Sequence, residues 1–137
     1  MKKIIICLSL AGLCLLAAVF VISPRLNRLS ACETLKEIHR AEASYKSNNP
    51  SGLYGSLEDL QRAELISKKI GNASYKGYSY QLKIEGAAFH AVAVSHGYFT
   101  LFSQVPNPSF FIDETGIIRW TVDGSVADKG DPVVSEQ

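Results

Sequence analysis

The chain has 137 residues, 14 Lys and Arg against 13 Asp and Glu, and a formal net charge of +1, with 47% apolar residues. That length suits one domain, and nothing in the near-balanced charge suggests a nucleic-acid partner, which would normally show as a basic face or a high pI. Of the three cysteines, Cys7 and Cys14 lie inside an apolar stretch; Cys32 stands alone beyond it, so the folded part has no internal disulfide, Cys-x-x-Cys pair or zinc spacing.

After Met1-Lys2-Lys3, residues 4–23 carry no charge. At 1.5 Å per residue, a helix of that length spans roughly the 30 Å hydrocarbon core of a bilayer. Ile4, Leu8, Leu15, Phe20 and Ile22 would be membrane-anchor residues, and Pro24 the point where the helix kinks as it leaves. The run closes on Val19-Phe20-Val21-Ile22, a poor peptidase site, so the reading is an uncleaved signal-anchor. Two alternatives stay open. Leu29-Ser30-Ala31-Cys32 matches a lipobox, which makes Cys32 a lipidation or cross-linking candidate, and the segment could also be a cleaved signal peptide. Cation counting favours a cytoplasmic domain, since Arg25, Arg28, Lys36 and Arg40 outnumber Lys2 and Lys3. A short stub before a long apolar run instead suits a single-pass anchor in the inner membrane with a periplasmic C-terminal domain. Membrane lipid is the first expected partner.

Helical periodicity resumes after Pro24. Ala31, Leu35, Ile38, Ala41 and Tyr45 form an apolar stripe, with Glu33, Lys36, Glu37 and Arg40 opposite. The breakers of residues 47–52 end this helix. A second, short helix starts at Ser56, whose Ser-Leu-Glu-Asp run approximates a capping box. Leu57, Leu60, Leu65 and Ile66 supply its buried side, and Lys68, Lys69, Gly71 and Asn72 close it.

From Tyr75 the period becomes two. Tyr78, Tyr80, Leu82 and Ile84 alternate with polar residues, and residues 88–94 return as a second strand after Glu85-Gly86. Residues 98–105 read as a third strand, ending before Pro106 and Pro108. Residues 110–112 and 117–122 read as a hairpin around Asp113-Glu114-Thr115-Gly116. Three regions follow: 1–28, signal-anchor and juxtamembrane segment; 29–123, an α+β domain; 124–137, a polar tail expected to be mobile.

Catalytic patterns are missing. His39, His90 and His96 stand on different elements without ligand spacing, with His39 expected on a helix surface and His96 in a turn. No Gly-x-Ser-x-Gly, His-Glu-x-x-His or phosphate loop occurs. Asp123, Asp128 and Asp131 are weak calcium candidates, because calcium takes six to eight oxygens and their spacing does not match an EF-hand; turn-forming aspartates are the plainer reading. Asn72-Ala73-Ser74 matches a glycosylation sequon by pattern alone, and reads as a turn. The aromatics read as sheet core, with an outward interaction patch as the alternative. The reading is non-enzymatic, with no cofactor and no small-molecule substrate implied.

Several stretches in order resemble the type IV pilins and the pseudopilins of type II secretion. These are residues 34–45, the loop and helix start at 52–60, Lys76-Gly-Tyr-Ser-Tyr80, Ser109-Phe-Phe-Ile-Asp-Glu-Thr-Gly-Ile-Ile-Arg119, and Asp123-Gly124. Together they cover most of residues 30–131. The resemblance implies a pilin-like fold: one long N-terminal helix, membrane half plus amphipathic half, packed on a four- to five-stranded antiparallel sheet. It also implies protein partners, in a pilus or secretion-type assembly. The chain departs from the family at its N-terminus, with no glycine ahead of residue 4 and no glutamate between residues 4 and 23. In the family that glutamate registers subunits in a filament. The chain therefore reads as a pilin-like structural or accessory envelope protein, or alternatively as a non-polymerising extracytoplasmic binding module.

Overall fold

The structure, a computed structural model, describes residues 27–96 and 108–135. The anchor residues Ile4, Leu8, Leu15, Phe20 and Ile22, the kink at Pro24 and the strand expected at 98–105 lie outside the described residues.

Helix α1 occupies residues 27–48. Ala31, Leu35 and Ile38 are fully buried and Ala41 nearly so, which makes one inward stripe at spacings of three and four. Two short helices follow, α2 (Leu57–Arg62) and α3 (Lys68–Gly71). The five strands are β1 (Ser74–Tyr75), β2 (Tyr78–Glu85), β3 (Ala88–Ser95), β4 (Ser109–Asp113) and β5 (Arg119–Thr121). They form one antiparallel meander in chain order, with β3 at the centre.

Two tight turns set the register. Lys76 and Gly77 both have positive φ, 49° and 81°, and join β1 to β2 so that Tyr75 faces Tyr78. Gly86, at φ 64°, opens the two-residue turn that pairs Glu85 with Ala88. Primed turns of this kind match the right-handed twist of the strands, and glycine carries the positive φ without penalty. Opposite Tyr80 and Leu82, β3 presents Ala93 and Ala91, both fully buried. These small residues leave room for Leu35 and Ile38 of α1, and Phe110 and Ile112 of β4 extend the same face. Each fully buried Leu or Ile here contributes about 1.5–3 kcal/mol through removal from water.

Three expectations need correction. The first is the fold class: the described residues hold no single helix with a membrane half and an amphipathic half. Among the described residues no helix is long and apolar enough to cross a membrane. The helix at residues 27–48 carries Arg28, Glu33, Lys36, Glu37, Arg40, Glu42 and Lys46, so charge recurs at nearly every turn. The described architecture is this amphipathic helix, two short helices and a five-stranded antiparallel sheet.

Second, the helix expected from Ser56 to the lysines is two helices. The capping box forms as expected: the Ser56 hydroxyl accepts from the Asp59 N–H, and the Asp59 carboxylate accepts from the Ser56 N–H. The helix then stops at Glu64, which sits at φ 58°. Leu65 N–H donates to the Leu60 carbonyl at 2.9 Å and Glu64 N–H to that of Gln61 at 3.0 Å. This is the Schellman arrangement, with glutamate in the left-handed position usually held by glycine.

Third, residues 124–135 do not hang free. Trp120 N–H donates to the Pro132 carbonyl, Val134 N–H donates to that of Ile118, and Arg119 bridges to Val133. The segment thus covers the outer edge of β5. It also crosses the sheet face opposite α1, where Ala127 packs with Val92 and Phe111 in a second, small core.

Candidate functional site

That outer face holds a groove of about 470 Å³. Its floor is His90 and Val92 of β3 with Phe111 of β4, one wall is Gln81, Lys83 and Glu85 of β2, and the other is residues 126–129. Strand alternation puts these side chains together: odd-numbered residues of β2 and even-numbered residues of β3 share the face away from α1. The His90 ring stacks on Phe111, with centroids 5.6 Å apart and planes 25° apart. In register, His90 lies between Lys83 and Asp113. Asp113 spends its Oδ1 on the N–H and hydroxyl of Thr115 in its own turn, which leaves it a turn former and not a relay to His90.

The groove's wall is fastened by a buried serine. Ser109, 2% exposed, donates its hydroxyl to the Ser125 carbonyl and accepts the Ala127 N–H, each at 2.7 Å. One side chain thereby satisfies two backbone groups of a segment that has no sheet ladder at that point.

The other histidines also have structural partners. His39 Nε2 lies 3.3 Å from the Glu114 carbonyl oxygen. Gly116, at φ 76°, is where a Cβ would come within 3.2 Å of the His39 ring. The helix-surface histidine therefore holds α1 against the β4–β5 turn. The His96 Nε2 and Ser79 hydroxyl are 2.8 Å apart across strands. A Ser–His pair invites comparison with a nucleophile and its base, but that chemistry needs a third group to orient the imidazole. Among the described residues no carboxylate bonds the other ring nitrogen.

Asp123, Asp128 and Asp131 serve turns. Asp123 Oδ1 accepts from the Ser125 N–H and hydroxyl. Asp128 Oδ1 accepts from Gly130 N–H, and Asp131 Oδ2 accepts from Asp128 N–H. Hydrogen bonds from Ser125 hold the Asp123 carboxyl below the usual range. Among the described residues no group of three His, Cys, Asp or Glu side chains is placed to hold a metal ion. Cys32 is half-buried against the main core, and burial pushes its thiol pKa up, away from the thiolate that reacts.

The side chain missed in the sequence is Glu42. It is fully buried, on the same stripe as Ala31, Leu35 and Ile38, four residues past Ile38. Its Oε2 accepts the Gly55 N–H at 3.0 Å, and among the described residues its Oε1 has no partner. Burial pushes its pKa up to about 7; the Gly55 bond opposes this, and the Asp59 charge adds to it. The signal was a carboxylate at a core position of an amphipathic helix. The Tyr80 hydroxyl is likewise buried, with Thr34 facing it; burial pushes its pKa up and Thr34 opposes this. Thr34 lies on its side of the core but donates to the Ser30 carbonyl.

Comparison with protein-family models, with curated proteins and with solved structures finds no match for this chain.

Proposed function

We propose that this chain is a non-enzymatic envelope protein, anchored in the inner membrane by its N-terminal segment. Its domain would face the periplasm and act through protein–protein contacts. The observation that carries this reading is the uncharged run of residues 4–23, joined within a few residues to a domain that begins on an amphipathic helix. The ordered stretches that resemble pilins and pseudopilins support a structural or accessory role. The lack of a registering glutamate between residues 4 and 23 weighs against filament growth. Ser109, His39 and Glu42 fit the same reading, because each ties one segment to another.

The mature protein's mass and its extraction behaviour test this. An intact Met1, retention in membranes after carbonate washing, and protease sensitivity from the periplasmic side are expected. A start at a lipidated Cys32 would replace the anchor with a lipid. A cut near residue 23 with release into the soluble fraction would overturn anchoring altogether.

A second reading, a non-polymerising binding module, is favoured by one observation, the groove beside His90 and Phe111. In that case H90A or F111A should abolish capture of an envelope component by the full chain while leaving its membrane retention unchanged.

A further inference from the structure

The sheet's two edges differ. β5 is covered by residues 132–134, whereas among the described residues β2 is covered by β1 at one end only. Tyr80 N–H donates to the Ala73 carbonyl at 2.9 Å, and the Gly77 carbonyl accepts from His96 N–H at 3.0 Å. Even-numbered residues of β2 therefore turn their backbone groups towards β1, and odd-numbered ones towards β3. Past Tyr80, Leu82 and Ile84 aim N–H and C=O away from β3, and among the described residues nothing pairs with them. The side chains here are exposed too: Lys83 and Glu85 on the groove face, and Ile84, 40% exposed, on the face towards α1.

We propose that a second copy of this chain pairs with this edge, β2 against β2 and antiparallel, about a two-fold axis through Ile84. Ladder pairs can form only between residues that face outward, which leaves three registers. Centring on Leu82 sets Ile84 against Tyr80, whose N–H already serves Ala73. Setting Leu82 against Ile84 brings Lys83 opposite the partner subunit's Lys83, a like-charge pair directly across the strands. Centring on Ile84 places Lys83 opposite the partner subunit's Glu85, twice by symmetry, and Ile84 opposite the partner subunit's Ile84. Each partner's hairpin tip then ends at Gln81, just short of the part of the strand that β1 covers. Charge and free edge length select the same register. The contact is small beside the roughly 20–30 residues a side of a stable interface, so the pairing is weak and reversible. It stands on the sheet alone and does not depend on the proposed anchoring.

The test is sedimentation equilibrium of the full chain in detergent micelles, for the native sequence, K83E, E85K, K83E/E85K and a one-to-one mixture of the two single variants. The native chain should self-associate. Each single reversal should weaken this about tenfold or more, because both symmetry-related pairs become like-charged. The double variant should recover native behaviour, and the mixture should associate where neither component does. Circular dichroism and thermal midpoint should not change, since both side chains are exposed. A monomeric native chain would overturn the proposal and leave Lys83 as a guard against edge pairing. Equal association of all variants, or no rescue in the mixture, would overturn it as well.

Discussion

Glu42 makes stability depend on pH with a definite sign. Its folded pKa of about 7 lies above the ordinary value of 4.5, so the native state holds a proton that the unfolded chain releases earlier. The contribution is fully present below about pH 4.5 and is lost as pH rises through about 7. At 1.36 kcal/mol per unit, the loss is at most roughly 3–4 kcal/mol. Urea midpoints should therefore fall between pH 5 and pH 8, and E42Q should flatten that slope. An unchanged slope in the variant would remove Glu42 as its source. The neighbouring Gly55 is constrained in a different way. A Cβ there would lie 2.8–3.1 Å from ring atoms of Tyr45, so G55A must displace either the ring or the loop that donates to Glu42. A loss of about 1–3 kcal/mol is expected from overpacking, read as a lower urea midpoint with native secondary structure retained.

Among the elements, the break between α2 and α3 is a local device that its residues do not advertise. The start of α2 was legible because Ser56 and Asp59 are both residues whose side chains bond terminal N–H groups. Its end was not, because Glu64 gives no hint of a left-handed conformation; glycine or asparagine would have. The strands were legible where polar and apolar residues alternate, as in β2. They were less so in β4, where Phe110 and Phe111 are both buried because α1 lies on one face and residues 124–128 on the other. The groove escaped notice because its far wall depends on Ser109, one hydroxyl at a strand start. E64G should stabilise the chain by roughly 0.5–1 kcal/mol, relief of left-handed strain exceeding the added freedom of the unfolded chain. A lower thermal midpoint would show that strain is not the controlling effect. S109A strands the buried Ala127 N–H and should cost roughly 2–3 kcal/mol. It should also speed proteolysis within residues 124–131, measured by mass spectrometry of the fragments.

At the scale of the whole molecule, two layers rest on one sheet, and they are unequal. The α1 layer buries the larger core, while the C-terminal segment covers only Val92 and Phe111 and the β5 edge. Truncation after Val122 should leave α1 and the meander assembled, by circular dichroism, but expose Phe111 and the backbone of β5. Light scattering should then report concentration-dependent aggregation beyond the dimer, which the full chain should not show. A truncated chain that stays monodisperse would mean the segment contributes only the groove wall.

The helix's position at the start of the domain also bears on how the fold is made. Leu35 and Ile38 leave the ribosome early, yet their cover includes Ala93, Phe110 and Ile112, and about seventy residues separate Ile38 from Ile112. At roughly 5–20 residues per second, the apolar stripe of α1 stays bare for several seconds of synthesis. Hairpins between neighbouring strands close in microseconds, so β2 and β3 pair long before β4 arrives. For that interval the nascent chain is a finished hairpin and an uncovered amphipathic helix, and the helix is what a chaperone would hold.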